Sequence, residues 1–169
     1  RFKNSNPDRY RHWIDHVRTA VPDIADVHCH HREDEGTSYL EVKYDSCLTA
    51  PAWIVSDGTL RLLGLTFLSY AAEHGAAYLI EEPENGVHPQ GIETIYQSLS
   101  SVYDSQVLLS THSPMIVGLI ERDELDKVLC FSRTAEEGVR IVRGDKHPWL
   151  VDWKGSPNLS VYFASGVLS

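Results

Sequence analysis

Two short apolar runs, each breaking off into polar residues, constrain this chain more than any other feature. "AAYLIEE" (76–82) ends in Glu81 and Glu82 before Pro83, and "QVLLST" (106–111) ends at His112. Apolar runs of this length, bounded by turn residues, predict buried strands of the kind found in parallel sheets. Between them, Ile92, Ile95, Tyr96, Leu99 and Val102 fall at helical spacing. Strand, helix, strand in that order predicts an α/β fold, a mostly parallel sheet with flanking helices.

The flanking sequence extends this frame. Tyr10, Trp13, Ile14 and Val17 recur at i, i+3, i+4 and i+7, predicting an amphipathic helix that Pro22 stops. Asn6 or Asn4 can cap it, with Pro7 in the first turn. Residues 24–31 and 38–45 read as strands joined by the turn "EDEGTS", a β-hairpin insertion. "GTLRLLGLTFLSYAAE" (58–73) is apolar almost all round and predicts a buried helix, too short to span a bilayer. Runs 127–133 and 138–144 predict a second hairpin, followed by an irregular tail containing Trp149 and Trp153. The expected organisation is a single partial domain over 1–169. It comprises a leading helix (1–22), the hairpin (23–46), a motif-bearing α/β core (53–133), and a hairpin with the tail (134–169).

Charge and cysteine content narrow the function classes. Fifteen Lys and Arg against 24 Asp and Glu leave a net charge of −9. Such a surface is a poor partner for a phosphate backbone, so any DNA contact would need a local patch or another subunit. No apolar run reaches the roughly 18 residues of a membrane span. Cys29, Cys47 and Cys130 form no CxxC pair, which predicts reduced thiols and a cytoplasmic address. His28 and His30 share a strand face beside His31, but further ligands at useful spacing are missing. A solvated edge strand is the expected role, and no metal is assigned to it.

Three elements hold the chemistry. Ser56-Asp57-Gly58 opens the 58–73 helix, where first-turn N–H groups, the helix dipole and the Ser56 hydroxyl together make an anion site. A helix cap is the plainer role for the same residues. Glu81 and Glu82 emerge at the C-terminal end of an apolar strand, where open parallel sheets bind ligands. Mg²⁺ carrying phosphate is the natural partner for one carboxylate. The other can then orient an attacking water. His112 ends the second strand, where an imidazole can meet a terminal phosphate. A Ser–His hydrolase pair is excluded there, because adjacent side chains on extended backbone diverge and no GxSxG elbow exists.

In this order, "VSDGT", "YLIEEPE", "NGVHP" and "STHSP" resemble the signature motif, Walker B strand, D-loop and switch-histidine loop of ABC-type ATPases. The likeness is to the branch containing SMC, RecF and OLD proteins and ATPases of anti-phage systems, and it is close over about residues 53–115. It implies the C-terminal lobe of a P-loop NTPase that uses ATP and Mg²⁺ in a composite site shared by a homodimer. By that resemblance Glu81 would hold the Mg²⁺ shell and Glu82 would polarise the attacking water. His112 would touch the γ-phosphate of its own subunit's nucleotide, and Ser56, Asp57 and Gly58 would meet the nucleotide of the partner. Asn85 and His88 would lie at the dimer seam. Asp57 stands where the family usually has glycine, Thr59 where Gln is commoner, and Glu81 where Asp is usual.

No Gly-Lys pair occurs, so the phosphate-cradling GxxxxGK[ST] is not in these residues. Together with Arg1 in place of Met, this predicts a C-terminal portion whose Walker A lobe lies elsewhere and which alone neither binds ATP tightly nor hydrolyses it. The expected role is DNA maintenance or phage defence, with an effector protein as a further partner. The alternative is a non-catalytic, ATPase-like module that dimerises or docks an effector. A metal nuclease built on Glu81, Glu82 and Glu84 is a poorer fit, since no distant acidic partner is evident.

Overall fold

Pro7 opens the first long helix, as the sequence predicts; Asn6 takes the N-cap position, but its side chain makes no capping bond. In the computed structural model, which describes residues 2–33, 36–134 and 138–168, a single turn α1 (Phe2–Ser5) precedes α2 (Pro7–Arg18), whose N-cap is Asn6. Trp13, Ile14 and Val17 are the buried face of α2. The chain then runs through β1 (Ile24–Arg32), β2 (Thr37–Tyr44) and β3 (Thr49–Pro51), an antiparallel sheet in the order β1-β2-β3. The predicted hairpin is present, with β1 at the edge, and β3 extends it. On that edge His28 Nε2 lies 3.3 Å from Asp26 Oδ2, and His30 Nε2 lies 3.1 Å from Glu41 Oε1.

Helix α3 (Asp57–Ala71) follows, then β4 (Ala77–Glu81), α4 (Pro89–Ser100) and β5 (Gln106–Ser110). β4 and β5 pair in parallel, with Glu81 opposite Ser110 at their C-terminal ends. Beyond β5 come a short α5 (Pro114–Val117), the antiparallel pair β6 (Leu129–Thr134) and β7 (Gly138–Arg143), and α6 (Leu159–Ala164). Among the described residues no helix is long and apolar enough to cross a membrane.

The chain divides into two compact units, residues 1–110 and 111–169. The core of the first joins Trp13, Ile14 and Val17 to Ile24, Val27, Val42, Val55, Leu62, Leu63, Ile95 and Leu99. One polar link runs through it. Trp13 Nε1–H donates to Thr66 Oγ1 at 3.0 Å, and the Thr66 hydroxyl donates to the Leu62 carbonyl at 2.7 Å. A fully buried indole N–H and hydroxyl therefore satisfy each other, and α2 is locked in register against α3. The second unit has its own core of Val117, Leu125, Leu150, Trp153, Leu159 and Leu168. Trp153 is a packing anchor there, and its N–H donates to the Pro157 carbonyl at 2.7 Å.

Three expectations need correction. The fold is mixed α/β, but the sheets are small and the strand pairs mostly antiparallel; among the described residues only β4–β5 is parallel. β4 and β5 are also not buried on both faces. Ile80, Val107 and Leu109 pack on the core, whereas Leu79 is 80% exposed and Leu108 50% exposed. Apolar character along a run does not by itself say that the fold covers both faces of the strand. The 58–73 helix is likewise only partly enclosed, with Leu62, Leu63 and Thr66 buried.

Candidate functional site

The N-terminus of α3 is built by Ser56. Its backbone is extended, its Oγ accepts from Thr59 N–H at 3.2 Å, and it lies 2.9 Å from Thr59 Oγ1. Ser56 therefore caps the helix with the same hydroxyl proposed to meet an anion. Thr59 at the fourth position supports that hydroxyl with its own. Asp57 sits in the first turn, exposed, where a carboxylate favours the helix dipole.

Gly58 explains why α3 begins where it does. A Cβ placed on it would lie 2.0 Å from the Gly86 carbonyl oxygen and 3.3 Å from Val87 Cα. The first turn of α3 therefore rests directly on the backbone of the turn that follows β4, with no room for a side chain. That turn is itself tightly bonded: Asn85 N–H donates to the Glu82 carbonyl at 3.0 Å, and Val87 N–H to the Glu84 carbonyl at 3.0 Å. Gly86 adopts φ +74°, a conformation that glycine takes without penalty. His88 then caps α4, its Nδ1 accepting from Gln90 N–H at 3.3 Å, which requires the lone pair on Nδ1. Gly91 brings α4 against α3, since a Cβ there would meet Leu62 Cδ1 at 2.9 Å.

Glu82 is the unusual residue of the site. It has φ +45°, a left-handed conformation that costs an L-residue about 1–2 kcal/mol. Such a conformation persists when the surroundings over-determine it. Here its N–H donates to the Ser110 carbonyl at 2.9 Å, its carbonyl accepts from Asn85 N–H, and Pro83 after it is fully buried. Arg61, one turn into α3, adds a further bond, with its Nη1 donating to the Glu82 carbonyl at 2.6 Å. Glu81, one residue earlier, is exposed at the end of β4.

Ser56, Asp57, Gly58, Glu81, Glu82, Asn85 and His88 all belong to the first unit, where α3 and the β4–α4 turn bring them into one neighbourhood. His112 belongs to the second unit. It is exposed between Thr111, whose Oγ1 accepts from Ser113 N–H at 2.9 Å, and Ser113, whose Oγ accepts from Met115 N–H at 3.3 Å. Arg61 was not singled out from the sequence. Its signal was a charge inside an otherwise apolar stretch, "LRLLGLTFL", one turn past Ser-Asp-Gly. Among the described residues no group of three or more His, Cys, Asp or Glu side chains is arranged to hold a metal ion.

A family model described as "AAA domain, putative AbiEii toxin, Type IV TA system" matches residues 2–118, more than half of the chain. The chain belongs to this family of ABC-type ATPase domains. The AbiEii-related domain thus covers both the α3 N-terminus and the strand ends that hold Glu81 and Glu82. A solved structure from work on "ATP-driven dimerization and DNA stimulated activation of SMC ATPases" shares the fold, with a TM-score of 0.56 and 13% identity over 83% of this chain and 86% of that chain. No curated protein matches the chain.

Proposed function

We propose that this AbiEii-related domain is the C-terminal portion of an ATP-hydrolysing, ABC/SMC-like ATPase that works through a composite site between two copies. The observation that carries the reading is the seating of Gly58 on the Gly86 carbonyl. It fixes a helix N-terminus, an anion-attracting element, beside the turn that presents the two strand-end glutamates.

On this reading Glu82 accepts a proton from, or orients, the attacking water, and its left-handed backbone sets the aim of the carboxylate. Glu81 fits Mg²⁺ by donor chemistry, a hard carboxylate oxygen exposed at a parallel-strand end beside the Ser110 position, and would hold it as one ligand among phosphate and water oxygens. Mg²⁺ there would neutralise charge developing on the phosphates. Ser56, Asp57 and Gly58 face the γ-phosphate of a nucleotide held by the second copy, with Asn85 and His88 at the seam between copies. His112 meets the γ-phosphate held by its own copy. A Walker A lobe supplies the phosphate cradle. A helix N-terminus gains attraction from a terminal phosphate and loses it after hydrolysis, so ATP joins the copies and its cleavage loosens them. Control of an effector in phage defence or DNA maintenance is the role this cycle suits.

The test is Glu82→Gln in the protein that includes the Walker A lobe. Loss of hydrolysis with accumulation of an ATP-dependent dimer supports the reading. Unchanged hydrolysis contradicts it, and nucleotide-dependent dimers with no hydrolysis in the unaltered protein favour a non-catalytic docking module instead.

A further inference from the structure

α3 carries two charged residues along its length, Asp57 in its first turn and Arg61 one turn on. Arg61 is exposed, yet its guanidinium is committed to a backbone atom, the Glu82 carbonyl oxygen at 2.6 Å. A charge-assisted bond of this length is among the stronger ones a surface group makes. The acceptor belongs to the residue with the left-handed backbone, φ +45°. Its other restraints come from the first unit's own backbone: Ser110 accepts from its N–H at 2.9 Å, and Asn85 N–H donates to the same carbonyl at 3.0 Å. Those two bonds fix the strand end and the turn to each other. The Arg61 bond fixes them to α3 by a side chain.

We propose that Arg61 is a positioning residue that ties the aim of the Glu82 carboxylate to the seating of α3. The direction of a side chain leaves the backbone along the Cα–Cβ bond, so rotation at φ of Glu82 swings its carboxylate. Holding the carbonyl holds that rotation. The other end of the tie lies one helical turn from Ser56 and Gly58, so a displacement of the α3 N-terminus pulls on the Glu82 carbonyl through a single side chain. The inference rests on the proposed reading in which Glu82 acts on water and the α3 N-terminus meets the second copy's nucleotide. It adds that the two half-sites of one chain are mechanically joined. Engagement of the partner's nucleotide by α3 sets Glu82 for this chain's own nucleotide, and the two sites of the dimer fire cooperatively.

The experiment uses the protein containing the Walker A lobe, with Arg61→Ala and Arg61→Lys compared with Glu82→Gln. For Arg61→Ala, kcat for ATP hydrolysis falls about 10–100-fold while KM stays within about threefold, the signature of a misaimed group. ATP-dependent dimer formation in the Glu82→Gln background is unchanged by it. Arg61→Lys, which keeps one donor in reach, recovers part of kcat. Hydrogen exchange at the Asn85 amide, which shares the acceptor, speeds up about tenfold in Arg61→Ala while the amides of α2 are unaffected. Arg61→Gln, with similar length and helix propensity, replaces the alanine variant if that variant does not fold. Hydrolysis within twofold of the unaltered protein in Arg61→Ala, with Glu82→Gln inactive, overturns the proposal and leaves the site reading standing. A raised KM at constant kcat also overturns it. Full hydrolysis by Glu82→Gln overturns the site reading and this proposal with it.

Discussion

Replacing Gly58 by alanine tests the seating of α3 with a single methyl group. The added Cβ would meet the Gly86 carbonyl oxygen at 2.0 Å, and ordinary contact begins at 3.4 Å, so the helix start and the turn must part by about 1.4 Å. Neither side can yield cheaply, because the Cβ is held rigidly by the helix backbone and the atom that it meets is a backbone carbonyl oxygen. Overpacking of this kind costs about 1–3 kcal/mol. Exchanging glycine for alanine in a helix returns roughly 0.5–1 kcal/mol, so a clash this deep, toward the upper end of that cost, leaves a net loss of about 1–2 kcal/mol. Urea denaturation followed by tryptophan fluorescence should show the midpoint lowered by about 0.5–1 M for a slope of about 2 kcal/mol per M. Gly64 provides the internal control: it lies on the same helix with nothing within 4 Å of its added Cβ. Gly64→Ala should raise the midpoint by about 0.5 kcal/mol of stability. On the functional side, a displacement of about 1 Å is enough to cost about 100-fold in rate in the protein with its Walker A lobe. If Gly58→Ala matches Gly64→Ala in stability, α3 does not rest on the turn, and the reasoning from Gly58 to the site is wrong.

Thr66→Val should lose about 1–3 kcal/mol in the same denaturation assay, because it keeps the shape but leaves the buried Trp13 N–H without its acceptor. Ser56→Ala should cost about 1 kcal/mol through the lost cap on Thr59 N–H, and any larger fall in ATP-dependent dimer formation measures what the hydroxyl does beyond capping. Burial lowers the pKa of His16, so the unfolded chain binds the more protons. Its contribution is complete above the unfolded value and falls as pH drops through and below about 6.5. Thermal unfolding of His16→Gln should therefore vary less with pH between 7 and 5 than that of the unaltered chain. Burial opposes the charged form of Asp26, but bonds from Lys3, Tyr10 and the Val27 N–H outweigh it and lower its pKa. That stabilisation is present at neutral pH and lost as pH falls through the lowered value, and Asp26→Asn should flatten the acid limb.

Much of this was legible in the sequence because local signals agreed with each other. The Tyr10–Val17 stripe, Pro7 and Pro22 bracketed α2, and two strand-like runs, 24–31 and the alternating 38–45, gave the β1–β2 hairpin. The strand-helix-strand run from 76 to 111 gave β4, α4 and β5 at nearly their observed limits. The Ser-Asp-Gly helix start was legible as a helix cap, and Ser56 does cap α3. Three things were not readable. β3 is three residues long and exists because β2 offers it an edge, a partner that no local pattern records. α6 lies in a tail whose prolines and glycines read as irregular, and it is anchored by Leu159 in a core assembled from distant residues. Arg61 escaped notice because its role depends on a carbonyl 21 residues away. The excess of apolar character in β4, β5 and α3 over what the fold buries misled the sheet reading. Leu79 and Leu108 looked like core and stand in solvent.

The central claim is that one copy's α3 N-terminus serves the other copy's glutamate, and complementation measures that directly. Two variants of the protein with its Walker A lobe are each made inactive, one by Ser56→Arg at the helix start and one by Glu82→Gln at the strand end, then mixed and allowed to exchange subunits. In a two-fold composite site, half of the randomly paired dimers regain one intact site, so hydrolysis should return to at most about a quarter of the unaltered rate, and to less in proportion to the coupling of the two sites through Arg61. Mixed dimers demonstrated by differential tagging yet showing no hydrolysis would mean that Ser56 and Glu82 serve the same nucleotide within one copy, and the composite-site account would be wrong.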